Sequence, residues 1–152
     1  MADISLRWDI PNSRGDIAFK NGDVVTGDDL ATAVLVSLFS DRLASADDTI
    51  PDTTSDRRGW WGDDGGDELG KIGSRLWLLD RAKELQSVLQ AARDYEAEGL
   101  AWMQSDGIAA EIDILCEWTR PTMLGSLITI TKPDGQLVAL DFDWAWKQID
   151  AR

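Results

Sequence analysis

Ile4, Leu6, Trp8 and Ile10 alternate with Ser5, Arg7 and Asp9, so the chain opens on a period of two that gives a β-strand one apolar and one polar face. Pro11 and Asn12 end it. Two short β-prone runs then flank Asn21-Gly22, a pair that tolerates positive φ and suits a two-residue hairpin, which predicts strands near 16–20 and 23–26. The period lengthens after Asp28 and Asp29, either of which can cap a helix. Leu30, Ala33, Val34, Ser37 and Leu38 share one helical face, and the positions between them are also largely apolar, which predicts a central helix.

From Ser40 to Gly73 the pattern fails. Pro51, a scatter of glycines and repeated aspartates leave a long aperiodic segment, and loops of that length inside compact domains are usually functional or disordered. Regularity returns with Ser74 as an N-cap before Leu76, Leu79, Ala82 and Lys83. After a break near 83–86, Leu85, Val88, Leu89, Ala92, Tyr95, Leu100 and Met103 continue at spacings of three and four. That second, long helix closes at Asp106-Gly107, with Gly107 in the left-handed position beyond the last turn. Ile108, Ala110, Ile112, Ile114, Cys116 and Trp118 then alternate with Ala109, Glu111, Asp113, Leu115, Glu117 and Thr119. The runs "SLITIT" and "QLVALDFDWAW" follow, joined through Pro133-Asp134-Gly135, each residue of which favours a turn. In the last strand Val138, Leu140, Phe142, Trp144 and Trp146 form the face expected to meet the helices. The pattern therefore predicts an α+β fold: an N-terminal strand and hairpin, central helices, a long Gly/Asp/Trp loop and a C-terminal antiparallel β meander.

At 152 residues the chain fits a single domain able to bury its own core. Its formal charge of −13 repels phosphate backbones and anionic lipid surfaces, so neither nucleic acid nor membrane is an expected partner. Cys116 is the one cysteine and there is no histidine, which excludes an intramolecular disulfide, a Cys–His dyad and a His-based metal site. No basic segment leads into an apolar one at the N-terminus, and no apolar run approaches the ~18 residues of a membrane span, so the chain is expected in a reducing, soluble compartment. Asp63, Asp64, Asp67 and Glu68 raise the question of calcium. However, Gly65 interrupts the ligand order and Ser74 stands where a bidentate Glu belongs, so these acids read as a solvated loop and no metal or cofactor is expected. Ser74 and Cys116 have no visible base and read as a cap and a core residue, and no carboxylate pair sits in a motif that would aim it at a glycosidic bond.

Eight tryptophans against three phenylalanines and one tyrosine are harder to absorb, and two of them are adjacent in "DRRGWWGD". In an extended segment Trp60 and Trp61 would point to opposite sides, one anchoring the loop and one facing out, with Gly59 and Gly62 freeing the backbone. Two readings stand side by side. Either both rings cover the protein's own core, or the loop is a docking surface, since Trp and Arg are the residue types enriched at binding hot spots. Arg57 and Arg58 also sit beside Asp56 and Asp63, so local ion pairing is the plain alternative for them. The candidate partner-binding set is Asp56, Arg57, Arg58, Gly59, Trp60, Trp61, Gly62 and Asp63, with Arg75 and Trp77 from the following "GSRLWLL".

"DLATAVLVSLFSDRLASADDTIPD", "DRRGWWGD", "GSRLWLL", "YEAEGLAWMQSDGIA" and "TKPDG", taken in order, resemble the small tail baseplate protein of Mu-like bacteriophages. The likeness divides the single domain into an N-terminal β segment (1–27), a family-like core (28–135) and a C-terminal strand and tail (136–152). More distantly, that family is similar to the wedge proteins of contractile tails from which the sheath begins to polymerise. The resemblance implies a structural subunit of the virion, assembled in the host cytoplasm and present in six copies around the tail hub. Its implied partners are other baseplate wedge proteins and the tail sheath protein, and the isolated protein is expected as a monomer or weak oligomer. The wider group often carries Glu-Pro-Arg where the long helix meets the strand. This chain has "SDGIA", so that contact does not transfer to Ser105, Asp106 or Gly107. A small peptidoglycan-degrading hydrolase and a carbohydrate-binding module are the alternatives from other functional classes.

Overall fold

The computed structural model of the chain describes residues 4–9, 11–12, 14–27, 29–63, 71–80, 82–121 and 123–145. β1 (Leu6–Asp9) and β2 (Arg14–Ile17) form an antiparallel hairpin in the register Leu6↔Ile17. The Asn12 side-chain amide ties its turn by donating to the Asp9 carboxylate at 2.7 Å. A second hairpin, β3 (Phe19–Lys20) and β4 (Asp23–Val24), turns at Asn21 and Gly22 with φ of 54° and 82°, as the sequence predicts. The strand expected over 16–20 is divided at Ala18. Its N–H donates to Ser5 and its carbonyl accepts from Val25, so the backbone there pairs with the N-terminal segment and with the far arm of the hairpin.

α1 (Asp29–Phe39) carries Asp29 in its first turn; residue 28, the capping position before it, lies outside the described residues. It buries Thr32, Val34, Leu35, Ser37 and Leu38 and packs against β1 and the long helix, which gives it the central place its apolar sequence requires. The helix predicted from Ser74 is only a 3₁₀ segment, Arg75–Leu79. Ser74 does cap it, accepting the Leu76 N–H at 3.3 Å, but the Asp80 N–H bonds the Trp77 carbonyl and the segment stops. α2 (Gln86–Ser105) starts after the expected break and ends with Gly107 at φ 73°.

Three strands complete the fold: β5 (Glu111–Arg120), β6 (Met123–Thr131) and β7 (Leu137–Ala145), antiparallel in the order β5-β6-β7. One sheet face turns to α2. Ile112, Ile114, Cys116 and Trp118 of β5, Leu124, Ile128 and Ile130 of β6, and Leu140 and Phe142 of β7 belong to a core shared with Val34, Leu38, Leu76, Leu100 and Met103. The predicted alternation fails only at its start. Ala109 is buried and Ile108 exposed, the reverse of the expected phase, because both their N–H groups bond the Met103 carbonyl and wrap the backbone around the end of α2. In β7 the expected inner face holds for Val138, Leu140 and Phe142; the Trp144 side chain and residue 146 lie outside the described positions. Trp8 stacks on Phe39 with centroids 3.8 Å apart, and Phe39 meets Phe142 edge-on, so the N-terminal hairpin is joined through α1 to the sheet. The α+β class read from the sequence is the fold observed.

Candidate functional site

The described parts of the aperiodic segment after α1, 40–63 and 71–73, are fixed to the protein by side chains. Its root is buried: Arg42 N–H donates to the Ser74 carbonyl, Ser74 N–H to the Ser40 carbonyl, both at 3.0 Å, and the Ser74 hydroxyl donates to the Leu38 carbonyl left open at the end of α1. Trp77, 4% exposed, donates its indole N–H to the Arg42 carbonyl at 2.8 Å.

Three arginines hold the rest. Arg57 donates through its guanidinium to the carbonyls of Ser45 and Ala46, while its own carbonyl accepts the Ala44 N–H. Arg58 pairs with Asp41 at 2.7 Å and lies over the Trp77 ring, 4.4 Å from its centroid. The local ion pairs with Asp56 and Asp63, the plain alternative for Arg57 and Arg58, are replaced. Asp56 instead accepts the Arg58 backbone N–H at 2.9 Å, and Asp63 accepts the Ile72 N–H at 3.2 Å, closing the base of the loop tip. Arg75 is the most heavily engaged of the three, meeting Glu98 at 2.8 Å, Asp48 at 2.9 Å and the Ser45 hydroxyl at 3.0 Å, with its guanidinium over Tyr95. Burial opposes ionisation of Asp48, but hydrogen bonds from Ser45 and Arg75 outweigh it and hold the carboxyl below its usual range.

The tryptophan pair stands outside this scaffold. Trp60 is 46% and Trp61 82% exposed, their rings 5.3 Å apart and tilted by 47°. Neither enters the core, so the expectation that one ring anchors the loop while the other faces out is not met, nor is the reading in which both cover the core. The backbone explains the difference: Gly59 sits at φ 92° and Trp61–Asp63 form a 3₁₀ turn, so the segment is not extended and the two rings remain together. A Cβ on Gly62 would fall within the Trp60 ring, so that ring lies across the glycine. Leu43, 42% exposed, packs against Gly59, and Ile72, 40% exposed, is tethered to Asp63. The predicted set thus divides into Asp56, Arg57, Arg58, Asp63, Arg75 and Trp77, which hold the loop, Gly59 and Gly62, which shape its backbone, and Trp60 and Trp61, which it presents. Leu43 and Ile72 escaped the sequence reading because single aliphatic residues in an aperiodic segment carry no pattern. Of the acid cluster weighed for calcium, positions 64, 67 and 68 lie outside the described residues.

A second polar cluster lies between α2 and the sheet. Glu96, 2% exposed, accepts the Ser126 hydroxyl and, at 3.4 Å, the Cys116 thiol. Burial raises its pKa to about 7 against the pull of these two donors, and burial with the adjacent Glu96 pushes the thiol up to about 12. Both causes disfavour the thiolate, the nucleophilic form of Cys116. The sequence holds a signal for this cluster: Glu96 falls in step with Ala92, Leu100 and Met103 on the buried stripe of α2.

Sequence comparison places the chain among known proteins. A sequence model described as phage protein GP46 matches residues 30–137, which take in α1 from its second residue, the loop bearing the tryptophans, α2, β5 and β6. The chain is 42% identical over 149 residues to baseplate protein gp46 of Escherichia phage Mu, covering 98% of this chain and 100% of that protein. It is 31% identical over 146 residues to Mu-like prophage FluMu protein gp46 of Haemophilus influenzae, covering 96% and 98% respectively. These matches bear out the resemblance drawn from "DRRGWWGD", "GSRLWLL" and the flanking motifs, and the chain belongs to the phage protein GP46 family.

Proposed function

We propose that this chain is a structural subunit of a contractile phage tail baseplate, a wedge component that docks to neighbouring baseplate proteins through the Trp60–Trp61 face of its long loop. The observation that carries this is the presentation of two large aromatic rings, 46% and 82% exposed, on a loop whose root is fixed by Arg57, Arg58, Arg75 and Trp77. A preorganised loop loses little entropy on binding, and exposed Trp is the side chain with most to gain from burial. The relative of phage Mu that matches nearly end to end is named a baseplate protein, which supports the assignment to the virion tail.

On this reading the protein is present in six copies, is assembled in the host cytoplasm, and acts by contact rather than by catalysis. A raised carboxyl such as Glu96 would suit a general acid, but it is 2% exposed and closed in by Ser126 and Cys116, where no sugar reaches it. β5 and β7 are the outer strands of the C-terminal sheet, and strand addition to such an edge is the physical route proposed for contact with the sheath. Quantitative mass spectrometry of purified tails tests the assignment. The chain should be recovered with the other baseplate proteins at six per tail. Its absence from tails, together with peptidoglycan hydrolysis by the isolated protein, would overturn it.

A further inference from the structure

β5 is an outer strand with a row of side chains facing away from α2: Glu111, Asp113, Leu115 and Glu117, all exposed, with Leu115 at 56%. Among the described residues none of the three carboxylates has an ion-pair partner. Charge on an edge strand is also how proteins prevent indiscriminate pairing, and the carboxylates alone would need no further reading. The groove beside them does. A cavity of about 300 Å³ lies between Leu89, Gln90 and Arg93 of α2 and Ile114, Leu115 and Cys116 of β5. Consecutive strand residues face opposite sides, so a groove touching all three runs along the backbone edge of the strand.

We propose that the β5 edge, not the β7 edge, receives the added strand, and that it selects an extended partner segment whose outward side chains read basic, apolar, basic, with uncharged side chains between them. This rests on the strand-addition reading above and adds the edge, the register and the chemistry of the partner. A strand laid beside β5 places its outward side chains opposite Asp113, Leu115 and Glu117, where Lys or Arg, an aliphatic residue, and Lys or Arg are complementary. Its inward side chains enter the groove beneath α2, where Leu89 favours apolar groups and Arg93 repels a second cation. A second copy of this chain is a poor occupant, because its own β5 would bring carboxylate against carboxylate.

The probe is a capped heptapeptide, TKVLVKT, whose sequence is the same in both directions, titrated into the intact chain while backbone amide shifts are followed by NMR. The control, TVKLKVT, has the same composition and charge but moves both lysines to the opposite face. The expected result is shifts over Glu111–Arg120 and the facing turns of α2, at least about threefold weaker binding of the control, and a reversed preference when an Asp113→Lys, Glu117→Lys variant meets TEVLVET. Equal binding of the two lysine peptides, shifts centred on β7, self-association in place of peptide binding, or no shifts at β5 would each overturn the proposal. The parent reading is judged separately, by capture of the sheath protein on the whole chain. Capture with no β5 response to peptide refutes the register proposed here, whereas no capture refutes strand addition to the sheath itself.

Discussion

Glu96 makes stability depend on pH in a calculable direction. Its carboxyl is 2% exposed, and its two contacts, the Ser126 hydroxyl and the Cys116 thiol, are neutral. Burial moves its pKa from 4.5 to about 7. The folded state therefore binds this proton more tightly than the unfolded chain does, and the stabilisation is complete below the unfolded value near 4.5 and lost as pH rises through about 7. At about 1.4 kcal/mol for each tenfold change in proton affinity, the loss comes to roughly 3 kcal/mol, a large part of the ~5–15 kcal/mol that holds typical domains folded. Glu96→Gln keeps the shape and an acceptor for Ser126 but cannot ionise. Urea unfolding of both proteins from pH 4.5 to 8.5 should give nearly equal stabilities at the acid end, with the Glu96→Gln variant more stable by about 2–3 kcal/mol above pH 7.5. Because every other carboxylate is common to the two proteins, the difference curve isolates this one. Parallel curves over the whole range would refute the reasoning, since they would mean that Glu96 reaches water or a cation when ionised.

Other consequences follow from the same packing. Ser74→Ala removes both the cap on Leu76 and the donor to the Leu38 carbonyl, and should cost about 1–3 kcal/mol in denaturant unfolding. Ile128→Ala, at a fully buried position of the central strand, should cost about 2–5 kcal/mol. Trp60→Ala with Trp61→Ala should leave the melting temperature almost unchanged, because both rings are exposed; a large drop would return them to the core. Gly62→Ala forces the Trp60 ring off its glycine, so it should weaken partner capture while changing stability by less than about 1 kcal/mol.

The elements legible in the sequence were those with a sustained period. α1, α2 and the three C-terminal strands each repeat an apolar spacing over many residues, while Asn21-Gly22 marks the β3–β4 turn and Gly107 the end of α2 with conformations few other residues adopt. What escaped was decided by contacts distant in sequence. The apolar spacing of Leu76 and Leu79 fits an α-helix, yet Ser74 is tied to Ser40 and Arg42, and Trp77 to Arg42, which hold that stretch as a single 3₁₀ segment. Periodicity at Ile108 and Ala109 was overruled by the cap on α2. In the loop, residue types alone singled out Arg58 and Trp60, but only the fold shows that Arg58 turns in toward Asp41 and Trp77 while Trp60 turns out. Glu96 was missed, although it lies in step with the apolar stripe of α2, because its partners, 20 and 30 residues away, leave no local signal.

The most direct test of the account is co-purification of the tagged chain with the other baseplate proteins of its own genome, comparing the wild type with the folded Trp60→Ala, Trp61→Ala protein. Capture by the wild type and its loss in the variant, a weakening of at least ~2 kcal/mol or about thirtyfold in affinity, is the predicted result. Equal capture by both proteins would contradict it and move the interface away from the loop.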